Sequence, residues 1–68
     1  MRVVANIHFD RGQAHLATLA VKSMEGIRYQ CYPTLVKIDM ECNEEQKKEL
    51  MERLKRAETY FRVEYIVS

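Results

Sequence analysis

Asp10, Gly12 and Gln13, flanked by His8 and His15, are the positions whose residue types and spacing could carry chemistry. Asp10 and Gly12 are turn formers, and the step from Asp10 to Gln13 is that of a helix-capping box, so the segment reads as a strand turning into a helix. In that geometry the first amide N–H groups of the helix point into the corner and can hold an anion. The expectation is a ligand-binding corner at Asp10, Gly12 and Gln13. A purely structural role fits the same residues, Asp10 as cap and Gly12 as permissive backbone, and the two roles are compatible.

Other chemistries have less to build on. The seven-residue separation of His8 and His15 matches no common metal-ligand spacing and no third ligand is obvious, so no metal or cofactor is expected. Cys31 and Cys42 form no CxxC pair and suggest neither a disulfide framework nor a zinc site; they read as reduced, small apolar residues in or near strands. A nucleophilic enzyme would need one of them activated by a neighbouring base, and nothing in the pattern makes the cysteines and histidines converge. The chain is therefore expected to be non-enzymatic.

Size and composition narrow the class further. Sixty-eight residues make a single small domain, 1–68, which removes only about 60% of its unfolded surface from water and gains from a partner. Apolar residues at 47% and charged residues at 31% fit a folded domain rather than a disordered tail. Eleven basic and ten acidic residues are interleaved to a net charge of +1, which gives no long-range pull toward polyanions or membrane surfaces. No segment approaches a membrane span, and Met1-Arg2-Val3 is followed by Asn6, His8 and Asp10 instead of a signal-peptide core, so the cytoplasm is the expected compartment.

The elements that must position the corner follow from periodicity. Arg2 to Phe9 alternates as a half-buried strand, with Val3, Ala5, Ile7 and Phe9 on one face. Gln13 to Glu25 reads as a helix on its alanines and leucines, with a stripe of Leu16, Leu19, Ala20 and Met24, Lys22 in the last turn and Gly26 as the stop. A hairpin strand over the same residues is the competing reading. Ile27 to Tyr32 is a second strand, interrupted by Pro33 and Thr34, and Leu35 to Cys42 a third with Val36, Ile38 and Met40 facing inward. Asn43 with Gln46 caps a second helix whose buried stripe is Leu50, Met51, Leu54, Ala57 and Phe61, and Arg62 to Val67 is a last strand.

The order strand, helix, strand, strand, helix, strand predicts an α+β, ferredoxin-like βαββαβ sandwich: an antiparallel four-stranded sheet in the order 4-1-3-2 with both helices on one face. Val4, Tyr32, Leu35 and Ile66 on the other face, together with short edges, favour self-association as a homodimer or higher homo-oligomer. Ile7-His8-Phe9-Asp10-Arg11-Gly12-Gln13-Ala14-His15-Leu16-Ala17, then Glu25-Gly26-Ile27, resembles the first half of ACT domains, small regulatory modules. The resemblance implies oligomers and an amino-acid-like effector bound near the first turn, touching Asp10, Gly12 and Gln13. ACT turns usually place two residues between aspartate and glycine, whereas here Arg11 alone separates Asp10 from Gly12. The alternatives are a ligand-free assembly subunit of the same fold and a small RNA binder. The central outer positions Asn6, His8, Lys37 and Asp39 lack the paired aromatics that stack bases, which weighs against nucleic acid. Acylphosphatases share the fold, but their arginine-bearing phosphate loop is not visible between the first strand and helix.

Overall fold

The computed structural model describes residues 1–68. Its elements are β1 (Arg2–His8), α1 (Ala14–Leu19), β2 (Tyr29–Tyr32), β3 (Leu35–Glu41), α2 (Glu44–Glu58) and β4 (Arg62–Val67). The strands form one antiparallel sheet in the order β2-β3-β1-β4, so the fold is the ferredoxin-like α+β sandwich expected from periodicity.

β1 is central because every second side chain is fully apolar. Val3, Ala5 and Ile7 are buried and stand opposite Met40, Ile38 and Val36 of β3, which are buried too. On the other side they face Val67, Tyr65 and Val63 of β4. The ladder phase is readable at its ends. Met1 and Cys42 exchange hydrogen bonds, as do Arg2 and Ser68, so odd-numbered residues of β1 bond toward β3 and even-numbered ones toward β4.

α2 forms as its sequence dictates. Asn43 accepts from the Gln46 amide at 2.9 Å and Gln46 Oε1 accepts from the Asn43 amide at 3.0 Å, a complete capping box. Glu44 and Glu45 occupy the positive end of the dipole and Lys55 and Arg56 the negative end. Leu50, Leu54 and Ala57 are buried, Met51 and Phe61 partly so; Phe61 lies beyond the helix end and meets Phe9 edge-on at 6.4 Å.

α1 departs from expectation. It spans only Ala14–Leu19, and the chain leaves it through a tightened turn in which Ala20 and Val21 donate to carbonyls three residues back. The buried residues are Ala17, Val21 and Met24; Leu16 and Leu19, expected in the stripe, are 48% and 60% exposed. The segment carries apolar residues on two helical faces, and the entry direction set by the preceding turn rotates the small Ala17 onto the sheet. Thr18 Oγ1 donates back to the Ala14 carbonyl at 2.7 Å, a contact that competes with regular helix. Ser23 then takes a left-handed φ of +71°, so it rather than Gly26 makes the first reversal, and Gly26 (φ +79°) serves a second turn.

The early stop leaves carbonyls that another element satisfies. Arg53 of α2 donates to the Ala20 carbonyl at 3.4 Å and the Lys22 carbonyl at 3.0 Å while pairing with Glu49 at 3.0 Å. One guanidinium thus ends α1 and ties the two helices together. The remaining boundaries differ by a residue or two: β1 stops before Phe9, β2 starts at Tyr29 and β3 ends before Cys42. Arg53→Met should lower stability by about 1.5–3 kcal/mol, the worth of hydrogen bonds to a charged donor. Ser23→Gly should raise it by about 0.5–1 kcal/mol by relieving the left-handed backbone. Urea unfolding midpoints of the two variants check both signs.

Candidate functional site

The structure brings Asp10, Gly12 and Gln13 together in one exposed turn between β1 and α1. Phe9 anchors its base: it is buried and its amide donates to the Thr34 carbonyl at 3.0 Å. The Gln13 amide then donates to the Asp10 carbonyl at 3.1 Å, and Gly12 at the third turn position has φ +93°. A β-turn with that sign at its third residue favours glycine.

The expected capping box is only half present. Gln13 Oε1 accepts from the Asp10 amide at 3.2 Å, but the Asp10 carboxylate caps nothing and the residue at the N-cap position is Gln13 itself. The turn explains this, because it closes through the Asp10 carbonyl and starts the helix beyond the reach of the Asp10 side chain. Leu16 and Ala17 both donate to the Gln13 carbonyl, leaving the Ala14 and His15 amides as the open donors of this corner.

The histidines and cysteines do not converge. His15 is exposed on α1, whereas His8 lies on the outer sheet face with Nε2 buried and 2.6 Å from Glu64 Oε1. That pair is close enough for an ionic contact but is not aligned as a hydrogen bond. Cys31 is exposed on β2 with Sγ 3.6 Å from Thr18 Oγ1, and Cys42 is buried just past β3. Cys31 therefore departs from the pattern of a buried small apolar residue. No group of three or more His, Cys, Asp or Glu side chains is placed to hold a metal ion. No helix is long and apolar enough to cross a membrane.

A broad concavity lies elsewhere, on the outer face of the sheet beside β2 and β3. It measures about 890 Å³ and is lined by Arg2, Gly26, Arg28, Gln30, Lys37, Asp39 and Glu41 among others. Arg2 grips Asp39 through two bonds, Nε to Oδ1 at 2.9 Å and Nη2 to Oδ2 at 2.6 Å. Glu41 faces the N-terminal ammonium at 3.4 Å, while Arg28 and Lys37 have no ion-pair partner. The basin is broad and open, with opposite charges already matched across much of its floor. It can make polar contacts but encloses nothing. Most of its residues were legible as the outward half of each alternating strand; their convergence into a basin was not, because it depends on which strands pair and in what register. A smaller cleft of about 330 Å³ between the helices is lined by the Arg53 clamp, with Leu19, Ala20, Glu49, Glu52 and Arg56. Neither concavity includes the Asp10 corner.

Compared with known proteins, the chain matches no family model, no curated protein and no solved structure.

The Arg2–Asp39 pair makes stability depend on pH. Hydrogen bonding to Arg2, and secondarily its positive charge, holds the Asp39 carboxyl below the usual carboxylate range, and the same pair pushes the Arg2 guanidinium further up. A carboxylate depressed in the folded state adds stability above its unfolded pKa of about 3.9, and that stability is lost as the pH falls through the lower folded value. Because both side chains are about half exposed, the effect is small and salt-sensitive. Arg2→Gln should lower stability slightly at neutral pH, and the difference from wild type should shrink to nothing as the pH falls below about 4, which flattens the acid limb of the variant's curve. Denaturation midpoints of the two proteins against pH, at low and high salt, test this.

Proposed function

We propose that this protein is a non-enzymatic, self-associating regulatory module of ACT-like type that takes a small amino-acid-like effector at the Asp10–Gln13 corner. The observation that carries the reading is the placement of Asp10, Gly12 and Gln13 in one exposed turn at the start of α1, beside the open amides of Ala14 and His15. Those amides suit a carboxylate, and the Asp10 carboxylate, which caps nothing, suits an ammonium. The ferredoxin-like fold is that of many small binding domains, and this support is by analogy. The shortened turn, with Arg11 alone between Asp10 and Gly12, is the feature that departs from ACT domains. Self-association draws support from the apolar side chains left exposed by so small a core, among them Tyr65, Ile66 and Val67.

A second reading, an assembly subunit without a ligand, is favoured by the absence of any principal concavity at the corner. Thermal unfolding in the presence of individual amino acids separates the two. An effector at a hundred times its dissociation constant adds about 2.7 kcal/mol, which for a domain this size is about 10 °C or more. Asp10→Ala should abolish the shift without lowering the melting temperature of the free protein. If no amino acid moves the transition, the ligand-free assembly reading replaces the effector reading.

A further inference from the structure

β4 is an edge strand, and the phase of its ladder says which of its groups are free. Arg2 and Ser68 exchange both backbone hydrogen bonds at 2.9 Å, and the register pairs Val4 with Ile66, Asn6 with Glu64 and His8 with Arg62. Bonded pairs in an antiparallel ladder alternate, so Arg62, Glu64 and Ile66 turn their N–H and C=O groups toward β1. Val63, Tyr65 and Val67 turn theirs outward, where no strand of this chain receives them.

The usual protections of such an edge are missing from β4. It contains no proline, lysine or glycine. Its two charged residues are engaged on the outer face, where Glu64 lies 2.6 Å from His8 and 3.6 Å from Arg62. Tyr65, Ile66 and Val67 are 42%, 70% and 38% exposed. The opposite edge differs in length and sequence: β2 has four residues and is closed by Pro33.

The free edge is complementary to itself. In an antiparallel pairing of two copies centred on Tyr65, Tyr65 bonds to its own counterpart and Val63 to Val67 of the second copy, in both directions. Every outward group of Val63, Tyr65 and Val67 is then satisfied. Shifting the centre to Glu64 would set two carboxylates directly opposite each other. We infer that β4 of this protein pairs with β4 of a second copy about a two-fold axis at Tyr65, joining the two sheets into one continuous eight-stranded sheet.

The inference rests on the self-association in the function proposed above and assigns it to one edge and one register. The outward phase of Tyr65 supplies the test. Tyr65→Pro removes an N–H that no intrachain bond uses, so it should leave the fold intact, as proline is tolerated where its nitrogen faces off the sheet. Sedimentation equilibrium of the full chain over a wide concentration range should show wild type rising from 8.1 kDa to about twice that mass. Tyr65→Pro should remain at the monomer mass, as should Tyr65→Lys, which decides the matter if the proline variant does not fold. Tyr32→Lys on the β2 edge should dimerise as wild type does. Amide exchange should slow at Val63, Tyr65 and Val67 as concentration rises, with Arg62, Glu64 and Ile66 protected throughout. A wild type that stays monomeric overturns both the association and its assignment. A dimer that survives both Tyr65 variants overturns the β4 pairing and leaves association standing through another surface.

Discussion

The alternation along β1 is the constraint from which the remaining structure follows. Its side chains Val3, Ala5 and Ile7 all point to the helical side and are excluded from water, while its backbone bonds alternate between β3 and β4. Because side-chain direction and hydrogen-bond direction share a period of two, one strand sets both what the core contains and which groups each neighbour leaves free. A slip of one residue in either pairing would place Arg2, Asn6 and His8 in the core, so the register is held by burial and needs no special turn.

Above that sheet the helical layer is uneven. α2, with fifteen residues and a complete capping box, lays Leu50, Leu54 and Ala57 on the apolar face. α1, with six, contributes Ala17 and depends on Arg53 of α2 for the satisfaction of its last carbonyls. A short helix with a small contact residue can sit close to the sheet but cannot shade its margins. At the β2 margin beside α1, Tyr29 accordingly remains about two-fifths exposed, and at the β4 margin beside α2, Tyr65 and Val67 are exposed to a similar degree. The modest core and the exposed margins are two results of the same shortfall in cover.

The outer face follows a different logic. With no layer over it, it gathers the polar half of every strand, and its charged groups find partners there: Arg2 pairs with Asp39 across strands, and Glu64 lies beside His8 across from it and Arg62 along its own strand. Such exposed pairs contribute little each to stability. They do neutralise the face locally, so the unpaired cations of the basin are Arg28 and Lys37, while the neutral donors open to an external acceptor are the backbone amides of the Asp10 corner. The two lie on different parts of the molecule, one on the open sheet and one where β1 gives way to α1.

Residue order alone was enough to place β1, β3, α2 and β4, because periods of two and near four report side-chain direction directly, and Asn43 with Gln46 marks a helix start through contacts within four residues. The same local logic put Asp10, Gly12 and Gln13 in one turn. It placed Leu16, Leu19, Ala20 and Met24 on the buried side where the structure buries Ala17, Val21 and Met24, since both sets are apolar and the choice depends on how the chain leaves a turn and meets a sheet built from distant residues. Nor could it show that the Asp10 carboxylate caps nothing, that Arg53 bonds the Lys22 carbonyl thirty-one residues away in the turn after α1, or that Val63, Tyr65 and Val67 turn their backbone groups off the sheet. Those facts depend on which strands pair, in what phase, and how far each helix reaches. They are relations between segments remote along the chain, which no local pattern encodes.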